Sequence, residues 1–146
     1  MATATQAKLD ATALLELESS LRGELLRPDH PSYDEQRRVW NGSISRHPAL
    51  IARCTGVADV IAAVQFARRT GLELAVRSGG HSFPGLSVAD DALVADLGPM
   101  KGIRVDPEAR TARAQAGVLL GELDRETQQF GSPFPRGSSR TPAWRD

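Results

Sequence analysis

The segment from Ala49 to Arg77 constrains the fold most, because two short apolar runs enclose one amphipathic stretch. Ala49-Leu50-Ile51-Ala52 reads as a strand. Thr55 is placed to cap the helix that follows. Val57, Val60, Ile61, Val64 and Ala67 recur at helical spacing as its buried stripe, with Asp59, Gln65, Arg68 and Arg69 facing outward. Gly71 is placed to end that helix, and a strand over 72–77 follows at once. The whole is a strand–helix–strand unit with clear boundaries.

Other elements can be read around this unit. Leu14, Leu17, Leu21 and Leu25 recur at three- and four-residue steps, which predicts an amphipathic helix over residues 6–26, weakened near its end by Gly23. Pro28 and Pro31 enforce an extended passage. Tyr33 to Trp40 is polar with two aromatic anchors, and Asn41-Gly42 signals a turn. Residues 93–97 read as a strand. Residues 103–105 and 111–115 read as a pair joined by the turn Asp106-Pro107-Glu108-Ala109, with Arg113 and Gln115 pointing one way and the alanines the other. Gly117 precedes a last helix, about 118–129, with Leu119, Leu120 and Leu123 inward and Phe130 finishing that face. Residues 132–146, rich in Pro, Ser and Arg, read as a loose tail.

A chain of 146 residues makes one modest domain, and 40% apolar residues supply a core. Lysine plus arginine equals aspartate plus glutamate, 18 each, so no charge bias points to nucleic acid or an anionic membrane. The single cysteine, Cys54, excludes an intrachain disulfide and reads as a reduced, partly buried thiol. His30 and His47 lie far apart and read as surface or hinge residues, so no metal site is expected. No run is long enough to span a membrane. No apolar block follows Lys8, so a cytoplasmic location is the default expectation.

The candidate site is Arg77-Ser78-Gly79-Gly80-His81-Ser82, directly after a strand. Two glycines take positive backbone angles at low cost and leave room for a close ligand. Successive N–H groups in such a turn can form a concavity that binds phosphate. The His81 ring can hydrogen-bond or attack an electrophilic carbon, and Ser82 can donate a further hydrogen bond. A plain turn with a histidine capping a carbonyl fits the same six residues. The loop lacks the spacing of a Rossmann fingerprint and of a Walker A motif, so it does not indicate NAD or ATP.

Taken with its surroundings, the sequence resembles the FAD-linked oxidases with a PCMH-type flavin domain, in the branch of berberine-bridge enzymes and oligosaccharide oxidases. The resemblance rests on Trp40-Asn41, the segments Pro48–Cys54, Asp59–Arg68 and Leu74–Ser82, then Asp96-Leu97, Val105–Glu108 and Ala116–Val118, in that order. It covers about residues 38–131. It implies an α+β fold: the N-terminal part of a PCMH-type FAD-binding domain, a small mixed sheet with flanking helices, preceded by a helical arm. The implied segments are 1–37 as arm, 38–131 as N-terminal lobe and 132–146 as an irregular, non-native tail.

In that family the loop matching Arg77 to Ser82 binds the FAD pyrophosphate. The residue matching His81 often carries a covalent bond to the flavin 8α-methyl carbon. Imidazole adds to that carbon once it is electrophilic, and reoxidation restores the flavin. The resemblance further implies that residues 82–85 continue along the cofactor and that Asp96-Leu97 supports the loop near the strand edge. Gly117 is placed for close approach between the last strand and helix, with a cofactor contact. The implied activity is oxidation of a small C–H or C–OH substrate by hydride transfer to FAD, with electrons passed to oxygen.

After Gly131 the family enters a glycine-rich segment, whereas this chain reads Ser132-Pro133-Phe134-Pro135-Arg136-Gly137. A truncated product is expected, with the second lobe, the substrate domain and the catalytic acid–base residues absent, so no catalytic residue is assigned. Two other classes stay open: a non-enzymatic α/β fragment, and a module binding another phosphate-containing ligand.

Overall fold

The computed structural model describes residues 9–131. The chain divides into two compact units, Met1–Pro99 and Met100–Asp146. The tail expected over 132–146 lies outside the described residues.

Helix α1 (Ala11–Ser20) starts at Asp10, whose carboxylate accepts from the Thr12 N–H at 3.1 Å. It is shorter than the expected helix over 6–26. The Ser19 and Ser20 hydroxyls donate back to the Glu16 and Leu17 carbonyls, and the chain then turns at Gly23. A β-carbon there would overlap the Arg53 carbonyl, so only glycine lets the two segments pass this closely. Leu25, expected on the helix, is instead buried in strand β1 (Glu24–Leu26). Helix α2 (Tyr33–Gln36) is a single turn whose Tyr33 is buried. Its hydroxyl donates to the Pro48 carbonyl at 2.6 Å, and burial raises the phenol's pKa.

Strand β2 (Leu50–Arg53), helix α3 (Val57–Thr70) and strand β3 (Leu74–Arg77) realise the strand–helix–strand unit. Gly71 ends α3 with φ +72°, its N–H donating to the Ala67 carbonyl at 2.9 Å. Strand β4 (Leu93–Asp96) then inserts between β2 and β3, parallel to both. The sheet order is β1-β2-β4-β3, with β1 antiparallel to β2, so the sheet is mixed as expected. Every residue of β4 is buried, as suits an interior parallel strand. Leu26, Ile51, Val94 and Ala75 share a core cluster with Tyr33 and Val88, packed by Val39 and Ile44.

The buried face of α3 matches expectation only in part: Ala67 is buried and Gln65, Arg68 and Arg69 are exposed as expected. Asp59, Ala63, Phe66 and Ala67 are buried, whereas Val57 and Ile61 are exposed. Asp59 turns inward because it is a hub of hydrogen bonds. Its carboxylate accepts from the N–H groups of Arg22 (2.9 Å), Gly23 (3.2 Å) and Thr55 (2.8 Å), and from the Thr55 hydroxyl (2.8 Å). Thr55 therefore donates to Asp59 rather than capping the helix itself; Gly56 is the N-cap and makes no side-chain cap bond. Burial alone would raise the Asp59 pKa, but these donors outweigh it and hold it below the ordinary 3.8.

In the second unit, β5 (Ile103–Asp106) and β6 (Thr111–Ala114) pair antiparallel, matching the expected hairpin. Helix α4 (Leu120–Gln128) buries Leu123, while Leu120 and Phe130 are exposed against expectation. Glu122 reaches back to the Leu119 N–H at 2.6 Å and pairs with Lys101 at 2.9 Å, which together lower its pKa.

Replacing Asp59 with Ala leaves buried N–H donors without an acceptor, so urea unfolding should show a loss of at least about 2 kcal/mol at pH 7. Because the folded-state pKa of Asp59 lies below 3.8, its stabilisation is complete above that value and lost as pH falls through the lower one. The gap between wild type and variant should therefore close in acid.

Candidate functional site: the glycine–histidine loop

Three parallel strands end in one row, Arg53↔Asp96↔Arg77. The loop 78–82 leaves from this carboxyl end, which is where open α/β sheets bind ligands. Asp96 braces its start. Arg77 Nη2 lies 2.9 Å from Asp96 Oδ2, the two side chains being 7% and 6% exposed, and the Leu97 N–H donates to the Arg77 carbonyl at 2.7 Å. Arg53 Nε stands 3.8 Å from the same carboxylate. The Arg77 side chain, read from the sequence as part of the cofactor loop, thus points into the protein.

Beyond Arg77 the chain makes a tight turn. Gly80 is buried and takes φ +69°, which only glycine adopts without strain. Its carbonyl accepts from the Trp40 N–H at 3.2 Å, and a β-carbon on it would come within 3.5 Å of Val39 Cα. A β-carbon on Gly79 would run into the His81 imidazole. Among the described residues, the N–H groups of Gly79, Gly80 and Ser82 donate to no other backbone carbonyl. A glycine cradle with main-chain donors left over suits an anion. His81 is on the surface, yet partial burial lowers its pKa below 6.5, which favours the neutral ring at pH 7.

Ser82 closes the turn. Its carbonyl accepts from the Gly85 N–H and its hydroxyl from the Leu86 N–H, both at 3.0 Å. Gly85 takes φ +78°, and a β-carbon on it would press against Ile44. Asn41 Nδ2 donates to the Phe83 carbonyl at 3.0 Å, and the Trp40 and Phe83 rings lie 6.4 Å apart. The segment from Gln36 to Ile44 therefore lines the loop along its length. The sequence offered only Trp40-Asn41 as a hint of this.

Gly117 belongs to the second unit, where it is buried and donates its N–H to the Met100 carbonyl at 2.9 Å. Arg77 to Ser82 are together in the first unit. Cys54 is fully rather than partly buried. Burial, with Asp59 and Asp96 nearby, pushes its thiol up to about 12. Among the described residues there is no cluster of three or more His, Cys, Asp or Glu able to hold a metal, and no helix is long and apolar enough to cross a membrane.

Comparison with known proteins gives the family. Residues 48–143 match the FAD binding domain family. The chain is 39% identical over 112 residues to (R)-6-hydroxynicotine oxidase of Paenarthrobacter nicotinovorans, covering 77% of this chain and 24% of that protein. Berberine bridge enzyme-like 14 of Arabidopsis thaliana is 34% identical over 94 residues, 63% of this chain and 18% of that protein. Among solved structures, Phl p 4.0202, a glucose dehydrogenase, superposes with a TM-score of 0.76 at 30% identity, covering 89% of this chain and 29% of that one. The chain belongs to the family of FAD-linked oxidoreductases, through their FAD-binding domain. It spans about a quarter of the length of the relatives it matches.

Two outcomes follow from the loop and its neighbour. Gly80→Ala should lower stability by about 1–2 kcal/mol through the left-handed backbone alone, measured by thermal or urea unfolding. Cys54 should resist a thiol reagent in the native protein at pH 8 and react only on unfolding, because its thiolate is disfavoured and covered.

Proposed function

We propose that this chain holds FAD on the loop 78–82, with His81 as the covalent attachment point, and that it forms the flavin-holding part of an oxidase acting on a small organic molecule. The observation that carries this reading is the Gly79-Gly80-His81 turn at the carboxyl end of β3, with its glycine N–H groups left unused by the surrounding backbone. When bound, FAD supplies two-electron chemistry, taking a hydride from a substrate C–H bond and passing the electrons to oxygen or another acceptor.

The residues of the chain have separate tasks. Gly79, Gly80 and Ser82 offer main-chain donors for the pyrophosphate. Arg77 fixes the point at which the loop leaves the sheet. His81, kept neutral by its surroundings, presents a nitrogen lone pair for bond formation. Gly117 gives close approach in the second unit. The names of the relatives, an oxidase of hydroxynicotine and a dehydrogenase of glucose, support a substrate among small alcohols, sugars or amines.

Purified protein given FAD should turn yellow and, after denaturation, retain a mass increment of one FAD. His81→Ala should lose the increment while still binding FAD reversibly. The rate of attachment should be flat above pH 6.5 and decline as pH falls through the lowered His81 pKa. A folded, colourless protein that takes up no FAD would overturn the reading.

A further inference from the structure

We propose that Arg77 is a positioning residue for the cofactor loop and not a ligand of the phosphates. Its guanidinium ties the end of β3 to Asp96 and to the backbone at Gln36 and Arg38, and so sets the shape of residues 78–82 before any ligand arrives. This inference rests on the FAD reading above.

The guanidinium is fully engaged. Nη2 pairs with Asp96 Oδ2 at 2.9 Å, and Nε donates to Asp96 Oδ1 at 3.4 Å. Nη1 donates to the Gln36 carbonyl and, at 3.5 Å, to that of Arg38. Every nitrogen of the fork has an internal partner, and the side chain is sealed from solvent. A fork spent in this way cannot also chelate a pyrophosphate.

Each partner leads back to the loop. Arg38 is followed by Val39 and Trp40, which border Gly80; the Trp40 N–H donates to the Gly80 carbonyl at 3.2 Å. Asp96 Oδ1 also accepts from the Gly98 N–H at 3.1 Å, and a β-carbon on Gly98 would stand 3.8 Å from the Ser78 carbonyl. One guanidinium thus fixes the strand end, the segment that lines the loop and the turn after β4. Lysine, with a point charge and no fork, cannot hold all three.

The test uses the full chain with Arg77→Lys, Arg77→Met, Asp96→Asn and the double variant Arg77→Met/Asp96→Leu. FAD affinity is read by flavin fluorescence with each variant placed on the His81→Ala background, where binding is reversible, and amide hydrogen exchange is read without FAD. Asp96→Asn is decisive, because it keeps the arginine's charge while weakening the clamp. We expect Asp96→Asn and Arg77→Met each to weaken FAD binding about tenfold or more, with Arg77→Lys giving no rescue. Exchange should quicken at residues 36–41 and 78–82 and stay unchanged in β2. If Asp96→Asn binds FAD as tightly as the His81→Ala parent, or tighter, while Arg77→Met loses it, Arg77 is a phosphate ligand and the proposal fails. The double variant removes both charges of the pair and strands neither, so it tests the clamp even where a single variant unfolds. Unchanged loop exchange in that variant would also reject the proposal. A wild-type chain that binds no FAD would reject the flavin reading alone, since the exchange arm decides the clamp without the cofactor.

Discussion

One buried carboxylate, Asp96, organises the functional end of the sheet. It closes the central strand, and the register sets an arginine beside it on each flanking strand. Burying an ion pair costs desolvation that its attraction only partly offsets. The Arg77–Asp96 pair is therefore better understood through geometry than through net stability. It braces the end of β3, the point from which the chain leaves for residues 78–82. Removing one partner would strand the other charge in the interior, at a cost of roughly 3–5 kcal/mol.

A second carboxylate does comparable work elsewhere in the same unit. Asp59 gathers donors from the turn after α1 and from the turn after β2, and so joins β1 to the strand–helix–strand unit. Both carboxylates bind backbone as well as side chains, and backbone is what a loop must hold still. Gly23 belongs to the same arrangement. Its missing side chain lets the α1–β1 turn lie against the Arg53 carbonyl, within reach of Asp59.

How much of this was legible follows from which forces act locally. Punctuation by Gly71, the apolar runs of β2, β3 and β4, and the Asp106–Ala109 turn are short-range signals, and each element was visible. The residues 24–26 were misread because leucines at positions 17, 21 and 25 keep helical spacing across a turn that only the distant Arg53 and Asp59 enforce. The inward face of α3 was misread for a related reason. An aspartate reads as outward until four donors from two other turns are seen around it. At the site, the Gly79-Gly80-His81 turn was plain in the sequence. The inward direction of Arg77 was not, because its partners lie 19 residues ahead and about 40 behind.

These long-range contacts bear on how a loop can hold a large cofactor. A flexible glycine pair would be ordered only on binding, and that entropy would be subtracted from affinity. Here the order is supplied in advance. Gly80 is pinned by Trp40, Gly85 is packed against Ile44, Phe83 is held by Asn41, and the strand end is fixed by Arg77. The glycines provide the shape and their neighbours remove the freedom that glycine would otherwise keep. For covalent attachment the same rigidity matters again, since a histidine ring reacts efficiently only when the target atom is held at bonding distance for a long time. On the proposed flavin reading, the buried arginine and the segment that lines the loop would serve that attachment by holding the turn that carries His81.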